Sequence, residues 1–346
     1  MNVWELLRLP MLDEQLGRVE EGLRGAVQSP QPFLTQVAAH LSLAGGKRLR
    51  PALLLAAATA AGGGVAPDEA VLGGIAVELV HMGSLYHDDV IDEASSRRGV
   101  QSANARWGNL VAVLAGDFLL AQASQIAAKL GAEVVETLAT TISRLCEGEM
   151  CQLQYSFATT RPEHSYTEAI SLKTASLMSA STRVGALVAR EDQGEVEALA
   201  RFGHAFGMAF QIWDDVRDLL CTEEELGKPA GHDMVEGTYT LPVLRALTDR
   251  TVGTELAHLL GQPLDEPTLE KARGMILMTD AIKESIAEGR RWADVAAKAL
   301  MTPQGKSAPG ANGSVELRSD QEVWASLAGL AHRLLDDLAS RTVRAL

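Results

Sequence analysis

Hydrophobic positions repeat with a helical period along almost the whole chain. The stretch "PDEAVLGGIAVELVHMGSLYHDDVIDE" sets Pro67 in a first-turn position and keeps apolar residues three and four apart to about residue 93. The same spacing predicts helices over 51–61, 109–129, 133–157, 165–189, 193–220 and 240–249. A longer, interrupted helical stretch follows over 265–300, with a last helix near 322–344. No segment alternates convincingly as a strand, and most connections are short. The pattern predicts an all-α fold, a large single-domain helical bundle spanning residues 1–346 around one core. One segment departs from it: "MTPQGKSAPGANGSVELRSDQE", 301–322, is rich in Gly, Pro and Ser and reads as a flexible surface loop.

Composition supports helices. Hydrophobic residues make up 47% of the chain but aromatics only 4%, leaving Ala, Leu and Val to build the core. The net charge of −14 repels nucleic acid, so any anionic ligand must be met by local basic groups or metal ions. Cys146, Cys151 and Cys221 have no metal-ligand spacing, and their odd number gives no disulfide framework. A reducing, cytoplasmic setting is expected. The first residues carry acids early and no continuous apolar run, so no signal peptide is read. The longest uncharged stretch, 51–66, is short and Gly-rich, so no membrane span is expected.

Against this apolar background two acidic clusters stand out. Asp88, Asp89 and Asp92 fit D-D-x-x-D, and "FQIWDDVRDLL" repeats that spacing in Asp214, Asp215 and Asp218. Residues i and i+4 project from one helix face, so Asp88 and Asp92 can grip one object together. A single motif of this kind is equally a solvated helix end. Two copies, both near the C-terminal ends of long apolar helices, make sense if divalent cations sit between the helices, because carboxylates gain nothing from the negative end of a helix dipole. Carboxylate oxygens suit Mg²⁺, which commonly binds through carboxylates plus substrate phosphates. The implied substrate is a diphosphate. Cations lie close by in sequence: Lys47, Arg48 and Arg50 in "GGKRLRP", Arg97 and Arg98 after the first motif, Lys173 and Thr174 in "LKTASL", and Lys228 with Asp233 in "LGKPAGHD". Each alone reads as a surface charge; together they suggest phosphate binding.

"GGKRLRP", "HDDVIDEASSRRG", "WGNLVAVLAGDFLLAQAS", "KTASL", "FQIWDDVRD", "LGKPAGHDMVEG" and "TLPVL", in this order, resemble the trans-isoprenyl diphosphate synthases, particularly bacterial polyprenyl synthases. The resemblance covers roughly residues 40–245. It implies a helical isoprenoid-synthase fold with a deep central cavity, usually a homodimer, that joins isopentenyl diphosphate head-to-tail to an allylic diphosphate. By the resemblance, Asp88, Asp89, Asp92, Asp214, Asp215 and Asp218 hold Mg²⁺, three ions with substrate bound. It also implies that Arg97, Lys173 and Lys228 contact the allylic diphosphate. Lys47, Arg50, His81 and Arg98 line the isopentenyl diphosphate site, and Thr174 and Gln211 lie by the reacting carbons. One departure is Thr238, where the family often has lysine, which puts one phosphate contact in doubt.

Two other readings share part of this pattern. A terpene cyclase would replace the second aspartate motif and need no isopentenyl site. A non-catalytic partner subunit would be expected to lose acidic motifs, and both are intact. Product length is read from the face above Asp88. Ser84, Gly83 and Val80 descend it by turns of about 5.4 Å, roughly one isoprene unit. By the resemblance, large aromatics at the positions of Gly83 and Ser84 would floor the pocket; both are small here, which predicts an open shaft and an all-trans product of about thirty carbons or more, rather than farnesyl or geranylgeranyl diphosphate.

Overall fold

The computed structural model describes residues 7, 9, 11–189, 192–221, 230–301 and 319–336. Lys228, most of the expected loop (302–318) and the end of the expected last helix (337–344) lie outside the described residues. The fold is all-α. The chain divides into two compact units, each assembled from three stretches of sequence: Met1–Ile142, Leu177–His204 and Val295–Leu330 form one, and Ser143–Ser176, Ala205–Asp294 and Ala331–Leu346 the other.

In the first unit, α1 (Leu12–Ala26) buries Leu12, Leu16, Val19 and Leu23, a helical stripe that the sequence carries but the predicted set of helices omitted. Two short helices, α2 (Pro32–Ala38) and α3 (His40–Leu43), lead into α4 (Leu49–Ala61). Both α4 and α5 (Glu69–Ile91) are apolar nearly all round, as helices at the centre of a bundle are. The short α6 (Ala103–Trp107) precedes α7 (Asn109–Leu130), which packs along α5. The close approach rests on two glycines. A Cβ on Gly83 would lie 3.1 Å from the Gly116 carbonyl oxygen and from Leu120, and one on Gly116 would lie 2.3 Å from His87 Nε2.

Between α5 and α6 the chain forms a two-residue ladder that the hydrophobic pattern did not predict. Ser96 pairs with Gln101 and Arg97 with Val100, antiparallel. The reason is local: Arg98 and Gly99 both take positive φ, 53° and 77°, the backbone of a two-residue hairpin turn.

In the second unit, α8 (Ala132–Leu153) and α11 (Gln193–Leu220) contribute their C-terminal portions. The predicted continuous helix over 165–189 is instead α9 (Glu163–Ile170), one π-helical turn at Ser171–Ala175, and α10 (Ser176–Val188), which from Leu177 onward belongs to the first unit. Short helices α12 (His232–Val235), α13 (Leu241–Leu247) and α14 (Gly253–Leu259) follow. The interrupted stretch over 265–300 is α15 (Glu266–Leu277), capped by Asp265 on the Thr268 N–H at 3.0 Å, and α16 (Ala281–Leu300). The last described helix, α17 (Ser319–Ala328), starts three residues before the predicted boundary and packs on α4 in the first unit.

Among the described residues, α7 is the helix long and apolar enough to cross a membrane. It buries Ala112, Ala115, Gly116, Leu119, Ala123 and Ala127 within the chain and exposes Leu110, Val113 and Leu114.

Candidate functional site

In the first unit the site is built at the C-terminal end of α5. Asp88 and Asp92, one turn apart, are at least partly open to solvent, while Asp89 is fully buried. Asp89 Oδ1 accepts from Arg97 Nε at 2.6 Å, and its Oδ2 is covered without a hydrogen-bond partner. Burial pushes the Asp89 carboxyl up, against the pull of Arg97 and Arg98. Arg97 therefore sits on an aspartate of the motif in this structure.

The hairpin aims the other arginine elsewhere. Arg98 Nη1 donates to the carbonyls of Gly45 and, at 3.3 Å, Leu41. Gly46 lies between two guanidinium groups: a Cβ there would be 2.8 Å from Nη1 of Arg48 and 2.8 Å from Nη1 of Arg98. The hairpin is tied down by His40, whose ring nitrogen lies 2.6 Å from the Gln101 carbonyl oxygen. Tyr86, two residues before the acidic motif, points away from it. Its hydroxyl donates to the Val37 carbonyl at 2.5 Å and fixes the break between α2 and α3.

Around this loop three cationic side chains and a histidine gather. Lys47 is exposed. Arg50 is half-buried, and its Nε is covered without an acceptor. Burial lowers its pKa to about 10. Arg98 is lowered as well, again chiefly by burial. His81 is held well below its ordinary value by burial and by Arg50, Arg98, Arg48 and Arg97, so it is a neutral imidazole. Desolvated arginines with an open donor are what an anion site requires. Sequence reasoning missed the acid among them, Glu78, which is 2% exposed and bonded to Arg48 at 2.8 Å. A single acid in the apolar run "IAVELVHMG" was the available signal.

The predicted chain-length residues separate. Val80 is fully buried. Gly83 faces Gly116 and Leu120, so helix packing accounts for its size. Ser84 is half-buried, with its hydroxyl donating to the His81 carbonyl at 2.9 Å.

In the second unit the C-terminal part of α11 carries the other motif. Asp214 is 53% exposed, but Asp215 and Asp218 are buried. Asp215 accepts from the Tyr166 hydroxyl at 2.6 Å and from Gln211 Nε2 at 2.8 Å. Gln211 Oε1 in turn accepts from the Thr174 hydroxyl at 2.7 Å, so the two residues expected near the reacting carbons do come together. Burial, with Asp233 nearby, pushes the Asp215 carboxyl well up. Asp218 Oδ2 lies 3.4 Å from the Asp233 N–H.

The π turn aims Lys173 and Thr174, a common use of such turns. Gly148 of α8 allows it: a Cβ there would lie 2.7 Å from the Lys173 nitrogen. Lys173 pairs with Glu149, another acid not singled out from sequence. Thr238, in the place of the expected lysine, lies 3.5 Å from Gln152 Nε2.

Among the described residues no three acidic, histidine or cysteine side chains converge as a ready-made metal cage. Asp88, Asp92 and Asp214 are the motif residues with solvent exposure, and carboxylate oxygens are hard donors of the kind a hard divalent cation takes.

The polyprenyl synthetase family model matches residues 31–275. The chain is 42% identical over 286 residues to heptaprenyl diphosphate synthase component 2 of Geobacillus stearothermophilus, covering 82% of this chain and 88% of that protein. It is 37% identical over 288 residues to nonaprenyl diphosphate synthase of Mycobacterium tuberculosis, covering 80% and 84%. Among solved structures, a polyprenyl synthase from Caulobacter crescentus complexed with calcium and isoprenyl diphosphate superposes with a TM-score of 0.84 at 33% identity, over 95% of this chain and 97% of that one. On the extent of these matches, the chain belongs to the polyprenyl synthetase family, and it is a prenyltransferase.

Proposed function

We propose that this prenyltransferase condenses isopentenyl diphosphate head-to-tail with an allylic diphosphate and makes a medium- or long-chain all-trans polyprenyl diphosphate. The observation that carries the reading is the end of α5. There, solvent-open carboxylates one turn apart lie beside desolvated arginines and a neutral histidine. In this reading Asp88, Asp92 and Asp214 hold Mg²⁺, and the buried Asp89, Asp215 and Asp218 position them. When bound, the metal supplies positive charge that stabilises the diphosphate leaving group. Lys47, Arg50 and Arg98 hold isopentenyl diphosphate, and His81, being neutral, donates a hydrogen bond without adding charge. Lys173 leaves Glu149 for the allylic diphosphate. The allylic C–O bond breaks and its electron pair leaves with diphosphate. The isopentenyl double bond forms the new C–C bond, and the proton lost from the coupled product goes to the released diphosphate. The Thr174 backbone carbonyl and the Gln211 side-chain oxygen face the developing cation.

Relatives named for heptaprenyl and nonaprenyl products support the longer chain length. Purified chain, Mg²⁺, farnesyl diphosphate and labelled isopentenyl diphosphate test it by product chromatography. Label in products of thirty carbons or more is expected. A product that stops at fifteen or twenty carbons refutes the chain length, and absence of incorporation refutes the reaction for this chain alone. Ser84→Phe is expected to shorten the product while leaving the metal-binding aspartates untouched.

A second copy covering the exposed Leu110, Val113 and Leu114 of α7 gives a homodimer. A second reading comes from the Geobacillus relative, which is named a component: a different subunit covers that face instead. Light scattering on the pure chain at micromolar concentration separates the two: a dimer supports the first, and an inactive monomer the second.

A further inference from the structure

Arg48 is the one basic residue of "GGKRLRP" that no substrate contact claims, and it is the most buried of them, 5% exposed. All three guanidinium nitrogens are engaged. Nε and Nη2 form a fork on the Glu20 carboxylate of α1, the second arm at 3.2 Å. Nη1 donates to Glu78 of α5 at 2.8 Å, and Nη2 also reaches the Ser42 carbonyl at 3.3 Å. A guanidinium so occupied has no face to offer a diphosphate. Its backbone is unusual too: φ is 45°, in the left-handed region, directly before the first turn of α4. A non-glycine residue persists there only when its surroundings over-determine it. The fork to Glu20 and the bond to Glu78 are such surroundings. The turn they fix carries Lys47 on one side and Arg50 on the other, and Gly46 spaces the Arg48 guanidinium from that of Arg98.

We propose that Arg48, clamped by Glu20 and Glu78, is the positioning residue of the isopentenyl diphosphate site: it sets the turn that presents Lys47 and Arg50 and that carries the Gly45 carbonyl on which Arg98 rests, and it touches no substrate. This rests on the reading that Lys47, Arg50 and Arg98 bind that diphosphate. Glu78 has a second task in the same device. Its charge supports Arg48, Arg50 and Arg98 together, so three arginines can gather before any anion arrives.

The test removes the clamp without changing net charge. Arg48→Met with Glu78→Leu deletes one positive and one negative group. Replacing both members of a buried ion pair by apolar residues is often neutral for stability, whereas removing one leaves a buried charge. The double variant is therefore expected to keep its thermal midpoint within a few degrees. Its KM for isopentenyl diphosphate should rise about tenfold or more, as misplaced binding groups cost, with KM for farnesyl diphosphate within about twofold. Arg48→Lys, which keeps the charge but not the fork, should fall between the double variant and wild type. A folded double variant with unchanged KM for isopentenyl diphosphate overturns the proposal, and so does an equal rise for both substrates. If the double variant does not fold, Glu20→Gln, at the half-exposed end of the fork, is read by the same two constants. A selective rise supports the clamp and its absence overturns it. Arg50→Ala checks the underlying reading separately: no change in KM for isopentenyl diphosphate would refute the site itself, whatever Arg48 does.

Discussion

Tyr166→Phe isolates one hydrogen bond to one motif carboxylate. The hydroxyl donates to Asp215 Oδ2 at 2.6 Å, and Gln211 occupies Oδ1 at 2.8 Å, so a buried side chain has a donor on each oxygen. Phenylalanine keeps the ring, including its place under the Arg161 guanidinium at 5.8 Å from the ring centroid, and loses only the donor. A hydrogen bond to a charged group is worth about 1.5–3 kcal/mol, and the oxygen left behind is buried and unsatisfied. A loss of about 2 kcal/mol is expected, a fall of roughly 3 °C in thermal midpoint for a chain of this size. A double-mutant cycle with Asp215→Asn, read by urea unfolding, separates this bond from the cost of altering either residue alone. The expected coupling is about 1–2 kcal/mol. Mg²⁺ titration of the activity should show a several-fold higher half-saturating concentration in Tyr166→Phe, because Asp215 no longer holds one position. A coupling energy below about 0.5 kcal/mol, the level of independent sites, with an unchanged Mg²⁺ requirement, would refute the reasoning.

Asp88→Ala and Asp214→Ala should each lower turnover by about two orders of magnitude or more through lost charge stabilisation, and chelation should abolish activity; condensation by either variant at a near-normal rate would count against the metal assignment. Gly116→Ala should cost about 1–3 kcal/mol, because its Cβ would sit 2.3 Å from His87 Nε2. Gly17→Ala, in α1 with nothing within 4 Å, should instead gain up to about 1 kcal/mol, and thermal melts of both variants check the contrast. His81 has a folded-state pKa well below its ordinary 6.5, so below pH 6.5 the unfolded chain binds the extra proton, and stability is lost as pH falls. Urea midpoints measured from pH 7 downward should therefore fall less steeply in His81→Gln than in the wild type.

Much of the candidate site was legible because charge on an apolar helix conflicts with burial, and that conflict survives in one dimension. It exposed both aspartate motifs and the arginine pair. It would equally have exposed Glu78, an acid inside an apolar run, had that residue been weighed as a counter-ion. Residues whose meaning lies in a distant partner were not legible. Tyr166 is an ordinary tyrosine until Asp215, forty-nine positions later, is found on its hydroxyl. Gly83 is small in sequence for either of two reasons, and only Gly116 and Leu120 across the helix pair decide for packing. The hairpin was hidden because Arg98, not a residue that favours positive φ, occupies the first position of its turn. The π turn at 171–175 has no sequence signal in its five residues.

The two aspartate motifs have the same spacing but do not present the same groups. On a helix the first and last aspartates of D-D-x-x-D share a face, and the middle one lies about 100° away. At the end of α5 that rule holds: Asp88 and Asp92 remain open to solvent and Asp89 turns inward. At the end of α11 only Asp214 remains open, because the chain returns over the third position. The Gly231 N–H donates to the Asp218 backbone carbonyl at 2.8 Å, and the Asp233 N–H reaches Asp218 Oδ2 at 3.4 Å. A carboxylate covered in this way orders the 230–233 segment that follows the site. The second motif thus offers one exposed carboxylate and uses the others as structure. Asp218→Asn keeps an acceptor for the Asp233 N–H and Asp214→Asn does not keep a metal ligand of equal charge, so the pair should differ sharply in turnover although their positions in the motif look equivalent.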